Sequence, residues 1–166
     1  FCEADEIIFY SGATEANNIV ISGFAQKNRH GQANIIIGTT EHASVRQPAK
    51  RAFELFGTNI LEVPVNQFGK LDLIQLESFL KICQNSPTLV AIMHTNNEIP
   101  ARHPVEEISE LCWQYSAAAS LNQTTGIKLA ELVRTKEVGG QEAWEKGKKT
   151  FNKTCSRCHS SQKALD

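Results

Sequence analysis

Phe9-Tyr10-Ser11-Gly12-Ala13-Thr14-Glu15-Ala16-Asn17-Asn18 decides how the first two-thirds of this 166-residue chain folds. Immediately before it and into it, Ile7-Ile8-Phe9-Tyr10 is a short apolar, β-branched and aromatic run, which predicts a buried strand. After it, Glu15 to about Arg29 sets Ile19, Val20, Gly23 and Phe24 at helical spacing. The link between them, Ser11-Gly12-Ala13-Thr14, is a turn of small residues. A strand feeding such a turn and then a helix leaves bare backbone N–H groups at the helix start. With the positive end of the helix dipole and the Thr14 hydroxyl, these suit a phosphate. The same residues also read as an ordinary strand-to-helix turn with a threonine cap.

Further along, the pattern repeats. Asn34–Gly38 is a second apolar run, too continuous for a half-exposed strand and suited to a parallel sheet covered on both faces. A helix follows from about Ala43 to Phe56, with Val45, Ala49, Ala52, Phe53 and Phe56 on one face and Gly57 as its stop. Asn59–Val65 is a third strand. Asp72 caps a helix with Leu73, Leu76, Phe79 and Leu80 inward. Leu89–Met93 is a fourth strand, and Pro104 opens a helix whose apolar face is Val105, Ile108, Leu111, Cys112 and Tyr115. Strands alternating with helices of this length predict a parallel α/β sheet. Three strands end in loops of polar or small residues, Gly12–Thr14, Thr39–His42 and Thr95–Glu98, and ligands of open α/β sheets bind beyond the carboxyl ends of the strands.

Composition sets wider bounds. A net charge of −1 argues against a dedicated nucleic-acid binder. No apolar run approaches the roughly 18 residues of a membrane span, and no signal peptide is evident. Residues 141–166 nonetheless carry six Lys and Arg against three Asp and Glu, a local basic excess. Phe1 leads almost at once into a core strand, the look of an internal piece of a longer protein. Cys2, Cys83 and Cys112 are scattered in apolar surroundings, as small buried hydrophobes of a reduced protein. Cys155 and Cys158 are paired.

Ser-Gly-Ala-Thr-Glu-x-Asn-Asn after a hydrophobic strand closely resembles the cysteine desulfurases, pyridoxal-phosphate enzymes of the class V aminotransferase group. The resemblance continues through Thr40-Glu41-His42, Val63-Pro64-Val65, Gly69-Lys70-Leu71-Asp72 and Met93-His94-Thr95-Asn96-Asn97-Glu98-Ile99, and covers about residues 1–116. It implies part of the large domain of a fold type I pyridoxal-phosphate transferase. It also assigns roles: Gly12, Ala13 and Thr14 hold the cofactor phosphate, His42 stacks on the ring and assists proton transfer, and Asn97 hydrogen-bonds the ring hydroxyl. Without the resemblance, His42 reads as a turn or capping histidine and Asn96-Asn97 as turn residues. In its intact relatives the family takes sulfur from L-cysteine for iron–sulfur cluster assembly, as homodimers that pass sulfur to acceptor proteins.

This chain also departs from the family. Its Asp-Ala-x-Gln motif aligns with Ser120-Leu121-Asn122-Gln123, so Gln123 matches the cofactor-binding pattern but Ser120 stands at the acidic position. A serine cannot hold a pyridinium proton as a carboxylate does. No histidine precedes a lysine, so the Ser-x-His-Lys segment with the Schiff-base lysine is missing, as is the loop with the nucleophilic cysteine. The expectation is a chain that does not desulfurate cysteine.

After Tyr115 the character changes. Ser116–Ser120 is small and featureless where the family places a buried strand, and residues 117–140 read as a degenerate junction. Residues 141–166 then begin a different pattern that ends in Cys155-Ser156-Arg157-Cys158-His159, a Cys-x-x-Cys-His segment. Two thiols at this spacing suit thioether attachment of haem, with His159 as the iron ligand. Zinc is the competing reading and needs a fourth ligand from elsewhere. The preceding Glu145-Lys146-Gly147-Lys148-Lys149-x-Phe151 resembles the N-terminal helix of mitochondrial-type cytochromes c, although a solvated lysine face has the same composition. The expectation is therefore a partial desulfurase-like domain followed by a short helical, cytochrome c-like tail, with c-type haem electron transfer as the alternative function. The first part implies the cytoplasm or mitochondrion. The haem motif implies the periplasm or intermembrane space.

Overall fold

The computed structural model of the protein describes residues 10–96, 98–99, 101–123 and 131–133. All of them lie within one unit, Tyr10–Thr135. Four helices alternate with strands: α1 (Ala13–Lys27), β1 (Asn34–Gly38), α2 (Ala43–Phe56), β2 (Asn59–Val63), α3 (Leu73–Cys83), β3 (Thr88–Thr95) and α4 (Val105–Gln114). β4 (Ala118–Gln123) and β5 (Glu131–Val133) follow. The sheet order is β2-β1-β3-β4-β5. β1 pairs in parallel with β2 and β3, β3 pairs in parallel with β4, and β5 runs antiparallel to β4.

The continuous apolar strands are explained by a sheet covered on both faces. Ile35 and Ile37 of β1, with Leu89 and Ala91 of β3, pack against Ile21 and Ala25 of α1 and Val45, Ala49 and Ala52 of α2. Ile36, Val90 and Ile92 point the other way, onto Leu76 and Leu80 of α3 and Ile108 and Cys112 of α4. Successive strand residues thus serve opposite faces, and both faces are apolar.

Several expectations shift by a residue or more. The helix predicted from Glu15 starts at Ala13. The predicted third strand ends at Val63, with Val65 only bridging Leu71 across the next turn. The fourth strand is longer than predicted, Thr88–Thr95, and Pro104 is the cap of α4 rather than its first residue. Gly57 does end α2, at φ 68°, and the Asp72 carboxylate caps α3 by accepting the Gln75 N–H.

Two helix faces differ from the sequence reading. Phe53 is 59% exposed, because the inner side of α2 is filled by Val45, Pro48, Ala49 and Ala52. α1 buries Ala16, Asn17, Ile21 and Ala25; of the predicted face, Val20 and Phe24 pack half-buried against that cluster while Ile19 is 48% exposed. The amide of Asn17 finds its partner, Ser44, on α2, and that bond turns α1 toward a polar residue.

β4 is a correction of a larger kind. The featureless Ala118-Ala119-Ser120 run forms a strand in register with β3, pairing Leu89 with Ala118 and Ala91 with Ser120. Its place between β3 and β5 supplies ladder bonds that its side chains do not announce. The predicted strand Ile7–Tyr10 lies outside the described residues, except for Tyr10.

The chain runs from β1 outward to β2 and then crosses back to β3 on the other side of β1. Strand order therefore reverses between β1 and β3, and the crevice beyond their carboxyl ends is where such sheets bind ligands.

Candidate functional site

Three segments meet at that edge. The first is the start of α1. Gly12 is its cap residue and offers no side-chain hydrogen bond to the helix start. Glu15 folds back instead, accepting from the Ser11 N–H (2.8 Å) and the Ser11 hydroxyl (2.6 Å). These bonds hold its carboxyl below the usual range. Ala13 and Thr14 are exposed at the helix start, and a side chain added at Gly12 would meet nothing within 4 Å. The positive end of α1 is thus open, with the Thr14 hydroxyl beside it.

The second segment is the loop from β1 to α2. His42 caps α2: its Nδ1 accepts the Ser44 N–H at 3.1 Å and lies 2.9 Å from the Ser44 hydroxyl. The buried amide of Asn17 on α1 donates to that hydroxyl at 3.0 Å. Nδ1 accepts the Ser44 N–H and so carries no proton in the neutral ring, which leaves the Ser44 hydroxyl to donate to Nδ1 while it accepts from Asn17. The network therefore assigns the ring proton of neutral His42, an exposed residue, to Nε2. Asn17 is one turn from Thr14, about 4.5 Å along the axis, so a chain of two hydrogen bonds ties His42 to the open helix start.

The third segment follows β3. Asn96 is buried and reaches across the crevice, its amide donating to the Thr40 carbonyl at 3.0 Å. Its side-chain oxygen accepts the N–H groups of Glu98 (2.8 Å) and Ile99 (3.1 Å), which shapes the loop. A second turn, closed by the Asn66 N–H on the Lys70 carbonyl, packs against this loop. Its Gly69 has φ 74°, and a Cβ there would lie 2.7 Å from Ile99 Cδ1. Only glycine lets that turn approach the loop so closely.

Between these segments lies Glu41, whose carboxylate oxygen Oε1 accepts the Met93 N–H at 2.7 Å. Burial pushes its carboxyl up to about 8, against the opposing pull of the Met93 hydrogen bond and of Arg46. Glu41 Oε2 and Thr40 Oγ1 are buried without a hydrogen-bond partner. Nearby, His103 accepts the Leu71 N–H through Nδ1, and burial lowers its pKa.

Of the residues singled out from sequence, Gly12, Ala13 and Thr14 lie at the start of α1, and His42 is linked through Ser44 to Asn17, one turn beyond Thr14 on the same helix. Gln123 ends β4 with its backbone paired to Thr95, at the same sheet edge, while Ser120 pairs deeper with Ala91. Asn97, Cys155, Cys158 and His159 lie outside the described residues. Asn17, Ser44 and Glu41 were given no role by sequence reasoning. All three flank or fall within the quoted motifs, but their part depends on contacts between elements. Cys83 and Cys112 are buried, with thiols pushed up by burial, Cys112 to about 12, as inert packing residues. Among the described residues no group of three or more His, Cys, Asp or Glu is arranged to hold a metal ion. None of the described helices is long and apolar enough to cross a membrane.

A largely parallel α/β sheet with an open helix start, a tethered histidine and an asparagine-pinned loop near its switch point defines the class, an open-sheet α/β protein. Its sequence matches the family described as aminotransferase class V over residues 2–128, and the chain belongs to that family. It is 35% identical over 123 residues to cysteine desulfurase IscS 1 of Archaeoglobus fulgidus, covering 71% of this chain and 31% of that protein. It is 40% identical over 107 residues to the cysteine desulfurase of Homo sapiens, covering 64% of this chain and 22% of that one. Among solved structures, DndA from Streptomyces lividans superposes with a TM-score of 0.67 at 28% identity, over 75% of this chain and 34% of that chain. The chain thus spans about a third or less of the proteins it resembles, and the family match ends before residues 141–166.

Proposed function

We propose that this chain carries the phosphate and ring side of a pyridoxal-phosphate site of the cysteine desulfurase type. The observation that carries the reading is the Asn17–Ser44–His42 chain, which fixes an imidazole beside the open N-terminus of α1. A flat ring with a phosphate needs a planar partner on one face and N–H donors at its anionic end. His42 supplies the first, and the first turn of α1 with the Thr14 hydroxyl supplies the second. Asn97 and Gln123 complete the ring contacts by family resemblance. When bound, the cofactor supplies the electron sink for reactions at the α-carbon of an amino acid.

The residues present suit holding the cofactor better than using it. The 166 residues contain no His-Lys pair, and Ser120 stands at the acidic position. Within this chain the cofactor is therefore held without a covalent bond, and these residues alone do not release sulfur from L-cysteine. L-cysteine as substrate class, a second copy as partner and a sulfur-acceptor protein belong to the reading through the desulfurase relatives. The buried free thiols Cys83 and Cys112 suit a reducing compartment, cytoplasm or mitochondrion.

The test is titration of the full chain with pyridoxal phosphate, alongside Thr14→Ala and His42→Ala. Both substitutions are expected to weaken binding, and borohydride is expected to fix no stoichiometric pyridoxyl group on any one lysine. Binding indifferent to both substitutions, or a stoichiometric adduct on a single lysine, overturns the reading.

A further inference from the structure

Glu41 is the only buried carboxyl group among the described residues. Its surroundings explain why an acid is kept there. The last β1–β3 pair is Ile37 with Ala91, and beyond it β1 turns toward β2, the Thr39 N–H going to the Val63 carbonyl. Met93, two residues further along β3, gains no backbone acceptor from β1. The Glu41 carboxyl folds back and accepts its N–H at 2.7 Å. Gly38 makes the space: a Cβ there would lie 3.3 Å from Glu41 Oε1 and 3.4 Å from Leu71 Cδ1.

The grip falls where β3 changes register with β4, between Met93 and Thr95, and just before the loop that Asn96 ties to the Thr40 carbonyl. Residues 40 and 41 therefore hold the end of β3 twice, and His42 is the next residue. The geometry points to Glu41 as a positioning residue: its carboxyl completes the β1–β3 ladder in place of a backbone carbonyl and fixes where His42 stands against the loop after β3. This rests on the cofactor-site reading for its purpose, though not for its geometry.

The partnerless Oε2 and the burial describe a group that sits there as a neutral acid. The other titratable and charged groups around it are already engaged. Arg46 of α2 donates to the Thr39 carbonyl at 2.6 Å and pairs with Glu62 at 3.7 Å. His94 of β3 accepts from Arg102 at 2.8 Å, and His103, behind Leu71, has its pKa lowered by burial. Burial raises the Glu41 carboxyl to about 8, and the Glu41→Gln variant decides whether a change near that pH is its own. Gln mimics its neutral form, keeping an acceptor for Met93 and putting no charge at Oε2.

The experiment follows the His42 ring signals by NMR from pH 7 to about 9.5 in the full chain without cofactor, for wild type, Glu41→Gln and Glu41→Ala. Wild type is expected to show a shift of His42 in step with a transition near pH 8. Glu41→Gln is expected to lose that step and keep the wild-type position found at pH 7. Glu41→Ala is expected to displace His42 throughout and to lower affinity for pyridoxal phosphate, which Glu41→Gln preserves. A step that persists in Glu41→Gln, or a His42 unmoved in Glu41→Ala, overturns the inference. Should Glu41→Ala fail to fold, the step in Glu41→Gln decides alone. If wild type binds no pyridoxal phosphate, the cofactor reading falls, and the His42 signals still judge Glu41.

Discussion

Ser44 joins the two helices that frame the site, receiving Asn17 on one side and serving His42 on the other. Replacing it with Ala leaves the Asn17 amide buried without its acceptor, a cost of about 1–3 kcal/mol. Urea denaturation is expected to show that loss, and the His42 tautomer ratio is expected to move away from the Nε2–H form. Glu41 gives a second residue-scale outcome, through its raised pKa. The folded chain keeps this proton between about pH 4.5 and 8, where the unfolded chain has released it. Its contribution to stability is therefore fully present below about 4.5 and is lost as the pH rises through 8, by on the order of a few kcal/mol. Denaturation midpoints across that range should decline in wild type and flatten in Glu41→Gln. His42 itself was legible in two ways, as a capping histidine and as a ring-stacking one. The geometry makes these compatible, since Nδ1 does the capping and the residue is exposed. What no single residue announced was Asn17, because its role depends on a hydrogen bond to a residue 27 positions away.

At the scale of elements, the long apolar runs and clear caps were the readable part. Ile35–Ile37, the Gly57 stop and the Asp72 cap each carry their own local reason. Helix faces were read less well, since Phe53 on α2 and Ile19 on α1 follow helical spacing yet remain exposed. Packing of α1 on α2 through small residues decided those faces. β4 was hidden twice, by its alanines and by the turn before it. Ser116 sits at φ 56°, with its N–H on the Trp113 carbonyl and the Ala117 N–H on the Cys112 carbonyl. That is a Schellman stop built on serine, where glycine would have marked the end of α4 in the sequence. Ser116→Gly is expected to stabilise the chain by up to about 1 kcal/mol, because the left-handed backbone then carries no Cβ penalty. A lowered denaturation midpoint in this variant would contradict the assignment of that turn.

For the molecule as a whole, the parallel α/β class followed from the alternation of elements, but the strand order did not. No residue states that β2 lies outside β1 and β3 inside it, and that reversal is what brings the loops after β1 and β3 to one crevice. Named hydrogen bonds join the loop after β1 to Asn96 and, through Ser44, to Asn17 one turn into α1. Asn97 and the Cys155–His159 motif lie outside the described residues, so the haem reading rests on sequence alone. The central claim is that the start of α1 and His42 form one cofactor-binding surface. Its most direct test is an amide and imidazole NMR titration of the full chain with pyridoxal phosphate, repeated with inorganic phosphate. Pyridoxal phosphate is predicted to shift the Ala13 and Thr14 N–H signals together with the His42 ring, whereas phosphate alone shifts only the first two. Pyridoxal phosphate that leaves Ala13 and Thr14 unmoved, or moves them without His42, would contradict the account.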